Sequence, residues 1–121
     1  MVTEKMKCPL CEIMNVISKK WALLIINAIG NTGSIRFGEL KRVLKGINSK
    51  VLSDRLKDIE AVGIIHRKSF DEIPPHVEYF LTNSGKSFRK SMIPLMDWFY
   101  SHHKQNSQTP CDTAYQIEKR D

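Results

Sequence analysis

Apolar residues recur along this chain first with a helical period and later with a strand period, and the change divides it into elements. Leu10, Ile13, Met14 and Ile17 share one face of a helix opened by Cys8-Pro9, with Pro9 at the first helical position, where its missing N–H costs nothing. After Lys19-Lys20, residues 21–29 are apolar nearly all round, which predicts a buried helix ending at Gly30. A loop, 31–34, and a very short strand at Ile35 and Arg36 follow. Phe37, Leu40, Val43 and Leu44 then predict a short helix, and Gly46 turns the chain into another over about 48–62. That second helix is capped by Asn48, stopped by Gly63, and faces a core with Leu52, Leu56 and Ile59.

Beyond Gly63 the period becomes two. Residues 64–70 and 77–82 are rich in β-branched and aromatic side chains, with Val77, Tyr79 and Leu81 on one face of the second run. The loop between them is stiffened by Pro74-Pro75. A short helix, a glycine turn, a second helix and then a hairpin over about 64–82 make a helix-turn-helix with a wing. Asn83, Ser84 and Gly85 are read as the cap of a further helix over roughly 85–103, with Phe88, Met92, Leu95, Met96 and Phe99 along one side. Pro94 is expected to kink or split it. The fold class is α+β, mainly helical: one domain over 1–104 and a polar tail, 105–121, expected to be flexible.

Charge sharpens this picture. The chain carries a net +6, and between Arg36 and Lys57 seven basic residues (Arg36, Lys41, Arg42, Lys45, Lys50, Arg55, Lys57) stand against Glu39 and Asp54. Such clustering marks an electrostatic footprint for a polyanion. On the helix over 48–62, Lys50, Ser53, Asp54 and Lys57 project away from the apolar stripe, and Ser49 and Arg55 flank it. Donors on one rigid rod suit a major groove wide enough for one helix, whereas an ordinary surface helix would simply solvate the same face.

Catalysis finds no foothold. His66, His76, His102 and His103 stand at no catalytic spacing from a carboxylate or nucleophile, and there is no glycine-rich phosphate loop and no His-Glu-x-x-His. The pattern calls for no cofactor. The N-terminus has no apolar core of a signal peptide, and no run approaches the about 18 apolar residues of a membrane span. Three cysteines in such a chain argue for reduced thiols and the cytoplasm. Cys8-x-x-Cys11 could open a zinc site only with two more ligands from Cys111, His102 or His103, and a second tight pair is lacking.

The order of elements, together with several local strings, resembles the HxlR-type winged-helix transcription regulators of bacteria and archaea. The strings are Cys8-Pro9, Lys20-Trp21, Arg36-Phe37 with Glu39-Leu40, Gly46-Ile47, Lys50 with Leu52, Leu56, Gly63, Pro74-Pro75 with Val77-Glu78-Tyr79, Leu81-Thr82, Gly85 and Trp98. The resemblance covers about residues 8–100. It implies a homodimer on a palindromic operator, built through added N-terminal and C-terminal dimerisation helices. It places Ser49, Lys50, Ser53 and Arg55 at the DNA, with Lys57 on the same outward face, Arg36 and Lys41 near phosphates, and Arg67, Lys68 and His76 in the wing. Where this chain has His76 the family usually has arginine, and Asp71 and Glu72 add negative charge to the wing loop. The apolar stripe of Phe88, Met92, Met96, Trp98 and Phe99, with Ile13 of the first helix, is the expected dimer face rather than ordinary core.

The same resemblance implies a sensing role for Cys8, since several members respond to oxidants or electrophiles through the corresponding cysteine. At an N-cap beside Lys5 and Lys7 a thiol pKa falls and the reactive thiolate is favoured. A Cys8–Cys11 disulfide and a bridge to Cys111 of the partner subunit remain alternatives, as does the reading of Cys11 as a small buried apolar residue and Cys111 as incidental. A competing function is a winged-helix protein-interaction module without specific DNA binding, because fold alone does not fix function.

Overall fold

The structure, a computed structural model, describes residues 9–102. The elements are α1 (Pro9–Ile17), α2 (Ala22–Thr32), β1 (Ser34–Arg36), α3 (Phe37–Val43), α4 (Ser49–Ala61), β2 (Ile65–Phe70), β3 (His76–Leu81) and α5 (Asn83–His102). The strands form one antiparallel sheet in the order β1-β3-β2. In the wing Ile65 pairs with Leu81, Arg67 with Tyr79 and Phe70 with His76, and β1 closes the other edge of β3 with Arg36 opposite Glu78. This is the winged helix-turn-helix that the periodicity predicts.

α2 is the centre of the core. Ala22, Ile25, Ile26, Ala28 and Ile29 are buried on it, against Leu40 of α3, Leu52, Leu56 and Ile59 of α4, Tyr79 and Leu81 of β3, and Met92 and Met96 of α5. Among the described residues no single helix is long and apolar enough to cross a membrane, and the apolarity of α2 is used up in this packing.

Local expectations change at three places, the end of α2, α5 and Trp21. α2 continues past Gly30 to Thr32 and stops at Gly33, whose positive φ of 84° turns the chain while its N–H bonds Ile29 O at 3.0 Å. A helix-interior glycine costs only about 1 kcal/mol, too little to end a helix whose neighbours are buried. α5 begins at Asn83 because Thr82 caps it, its hydroxyl accepting from Gly85 N–H at 2.9 Å. Of the two expectations at Pro94, a kink or a split, the split is excluded, since the helix runs unbroken through Pro94 to His102.

Trp21 is the third. It precedes α2 with a left-handed backbone (φ 81°) and is half-buried beside the Gly46 turn, not a full member of the core. Trp21→Ala should therefore cost about 2 kcal/mol by urea denaturation, below the ~3–5 kcal/mol of a fully buried aromatic. A loss at the upper end of that range would mean that the indole is packed more deeply than this.

Candidate nucleic-acid interface

α3, the turn through Gly46 and α4 present the basic region. The turn closes where Gly46 takes φ 96°, and Ile47 is buried beneath it. Asn48 then caps α4, its Oδ1 accepting from Val51 N–H at 2.8 Å, a bond whose removal costs about 1 kcal/mol. With Leu52, Leu56 and Ile59 fully committed to the core, the rotation of α4 is fixed.

That rotation puts Ser49, Lys50 and Lys57 in solvent and leaves Ser53 and Asp54 partly covered. Lys50 Nζ stands 3.5 Å from Asp54 Oδ2, one turn on, with most of the lysine side chain exposed. Such surface pairs contribute about 0.3–0.5 kcal/mol, so the ammonium can exchange Asp54 for a phosphate or base edge at little cost. Arg36 on β1 and Lys41 on α3 are likewise exposed, as are Arg42 and Lys45.

Arg55 is engaged elsewhere. It lies on the flank away from Lys50, and its Nε donates to the backbone carbonyl of Lys20 at 3.0 Å. Asp58, one turn further, pairs with Lys19 Nζ at 3.0 Å. These two contacts tie α4 to the junction of α1 and α2.

In the wing, His76 opens β3 and is largely covered. Its Nε2 lies 3.1 Å from Glu78 Oε2 and its Nδ1 3.4 Å from Glu72 Oε2, and the ring stacks on Phe70 with centroids 4.5 Å apart. The imidazole is thus enclosed by two carboxylates and an aromatic face, with 14% of its side chain exposed. Arg67 and Lys68 are exposed on β2, where adjacent residues point to opposite faces of the sheet. Lys68 lies opposite Glu78, which is also the Cα partner of Arg36, and its Nζ sits 5.1 Å over the Phe70 ring. The row Arg36, Glu78, Lys68 alternates in sign across the three strands, which lowers the net charge the wing offers.

Cys11 lies in the first turn of α1 and is exposed, which overturns its reading as a buried apolar residue. Cys8, Cys111 and His103, like the tail 105–121, lie outside the described residues.

The expected dimer stripe divides in two. Met92 and Met96 are 4% and 8% exposed and Phe88 packs beside them, so all three belong to the domain's own core. Trp98 and Phe99 are 55% and 58% exposed, and Leu95 and Tyr100 of α5 with Leu10 and Met14 of α1 join them as exposed large apolar side chains. Ile13 is half-buried. The sequence reading missed Leu10, Met14, Leu95 and Tyr100 as candidates for a contact surface, although their apolarity was plain; a helical period alone does not say which side of a broad stripe meets the core.

Comparison with known proteins follows this geometry closely. The profile of the HxlR-like helix-turn-helix family matches residues 16–107. An uncharacterised HTH-type transcriptional regulator of Escherichia coli, YtfH, is 34% identical over 92 residues, spanning 76% of this chain and 72% of its own length. Among solved structures, the reduced form of the transcriptional regulator YodB from B. subtilis superposes with a TM-score of 0.66 at 29% identity, over 84% of this chain and 94% of that one. The redox regulator HypR in its oxidised form gives 0.67 at 34% identity, over 78% and 96%.

Proposed function

Because this chain belongs to the HxlR-like helix-turn-helix family, a family of transcriptional regulators rather than enzymes, we propose that it reads a palindromic operator as a homodimer through α4. The observation that carries this reading is the division of α4. Leu52, Leu56 and Ile59 lock one face into the core, while Lys50 and Lys57 stand exposed on the other, in the second helix of a winged helix-turn-helix.

In this mechanism α4 enters the major groove, with Ser49, Lys50, Ser53 and Lys57 toward the DNA. Arg36 and Lys41 meet phosphates beside it, and Arg67 and Lys68 reach the flanking backbone from the wing. Arg55 and Asp58 hold α4 in place against the turn between α1 and α2. Two-fold symmetry then sets the half-sites about one helical turn, ~34 Å, apart. The exposed apolar side chains of α1 and α5 supply the surface that pairs the subunits. Such a regulator acts with the chromosome, in the cytoplasm.

The likeness to YodB, solved reduced and diamide-treated, and to HypR, solved reduced and oxidised, supports a redox switch at the start of α1. Cys8 is its sensing thiol, and exposed Cys11 is one resolving partner. The switch has a short mechanical path, because α1 and the turn after it are joined to α4 by the Lys19–Asp58 and Lys20–Arg55 contacts.

Fluorescence anisotropy on a duplex from upstream of the chain's own gene, over a salt series and against unrelated competitor, tests both parts. Lys50→Ala should weaken binding about tenfold, the ~1–3 kcal/mol of a base or phosphate contact, without moving the melting temperature. Mild thiol oxidation should change the affinity of the unaltered protein and leave Cys8→Ser unaffected. Unchanged affinity in Lys50→Ala would remove α4 from the groove. Apolar association insensitive to salt, with no duplex bound, would favour the interaction module instead.

A further inference from the structure

Three consecutive residues between α1 and α2 each grip a different part of the helix-turn-helix. Lys19 Nζ pairs with Asp58 Oδ2 at 3.0 Å, and the Lys20 carbonyl accepts from Arg55 Nε at 3.0 Å. The Trp21 indole reaches the turn before α4, its Cη2 standing 4.0 Å from where a Cβ on Gly46 would lie. The chain bends by 86° between α1 and α2. Residues 18–21 are thus the whole joint between a helix with exposed Leu10 and Met14 and the helix at the centre of the core.

The joint is held in an unfavourable backbone state. Trp21 takes φ 81° and ψ −17°, and among the described residues it is the sole non-glycine with positive φ. The left-handed region crowds Cβ against the following carbonyl oxygen, so a bulky side chain stays there only where its surroundings fix it. On the α2 side, Ile25 N–H bonds Trp21 O at 2.9 Å and Ala22 N–H bonds Lys19 O at 3.2 Å. The grips on α4 and its turn supply the other side, and two of them are exposed polar contacts, each weak by itself. Released from them, Trp21 has the broad extended and right-handed regions to relax into. α1, joined to α2 through it, turns as it does.

We propose that residues 19–21 form a two-state joint, strained while it holds α4 for DNA and relaxed when α1 turns, with Trp21 as the positioning residue. Resting on the reading of DNA by α4, this joint supplies the element through which α1 acts on it. The strain brings the two states close in free energy, because the left-handed residue offsets part of what the grips contribute. A modest push on α1 then shifts the balance between them. Glycine at this position would hold α4 without that opposition.

Trp21→Ala, Trp21→Asn and Trp21→Gly test the joint, since all three lack the indole and differ in their tolerance of the left-handed region. That tolerance rises from Ala through Asn to Gly, whereas helix propensity and chain entropy run the opposite way. Full-length variants are compared by thermal melting and by anisotropy on a duplex that the unaltered chain selects from a random-sequence library. Melting temperature and affinity should both rise in the order Ala, Asn, Gly. The glycine variant should melt about 5 °C above the alanine variant and bind about fivefold more tightly. Where the alanine variant does not fold, the asparagine and glycine variants carry the same comparison. Affinity that is equal across the series, or falls toward glycine, would overturn the joint, whatever the melting temperatures do. Selection of no duplex by the unaltered chain would overturn the DNA reading itself and the joint with it.

Discussion

Gly85→Ala is expected to destabilise the domain by about 3 kcal/mol or more and to lower its melting temperature by roughly 12–20 °C. Helix propensity alone predicts the opposite, a gain of about 1 kcal/mol, since Gly85 is the third residue of α5. The reversal comes from the backbone it packs on. A Cβ at this position would overlap Ile64 O and lie 2.9 Å from Ile64 C. That carbonyl cannot easily yield, because it accepts from Thr82 N–H at 3.0 Å, while the Thr82 hydroxyl is bonded to Gly63 O at 2.6 Å. The same hydroxyl caps α5 through Gly85 N–H. One clash thus loosens the exit of α4, the root of the wing and the start of α5 together. Calorimetry decides between the two signs: a melting temperature that rose by a few degrees would show that α5 does not sit against Ile64.

Trp98→Glu should leave the subunit's own fold near its original stability yet convert the proposed homodimer to monomer and weaken the proposed operator binding at least 100-fold. The indole is largely exposed, stacked on His102 with centroids 4.5 Å apart and edge-on to Phe99, so little of the subunit's packing depends on it. In a symmetric interface it would be an aromatic anchor, the kind of residue whose truncation costs about 2 kcal/mol or more. A buried glutamate adds an unpaired charge to that loss. A monomer then holds one half-site without the effective concentration that the second reader supplies. Light scattering and anisotropy on the same preparation read both effects. A variant that stayed dimeric and bound DNA normally would place the interface elsewhere, whereas Met92→Glu, in the core, should fail by unfolding instead.

The legible parts of this protein were the local ones. Asn48, the Leu52–Leu56–Ile59 stripe and Gly63 define α4 from within its own eighteen-residue neighbourhood, since capping and amphipathic period act over a turn or two. The alternation of Val77, Tyr79 and Leu81 did the same for the wing, and the basic run around α4 named the class of partner. The element order and the rotation of α4 about its axis were therefore legible from local pattern alone, as was the basic face that the proposed DNA contact uses.

Tertiary structure alone decided the rest, because each remaining choice depends on a neighbour distant along the chain. Gly30 looked like a helix end until Arg89, 59 positions on, was seen to need the space. Met92 and Trp98 are both large apolar residues on one helix, yet only the first joins the core cluster. The bond from Arg55 Nε to the Lys20 carbonyl, and the setting of His76 between Glu72, Glu78 and Phe70, likewise join residues that the local pattern does not connect. Periodicity reports that a side chain prefers to be covered or wet; which surface covers it, and which charge it spends its hydrogen bonds on, is fixed only when the elements pack.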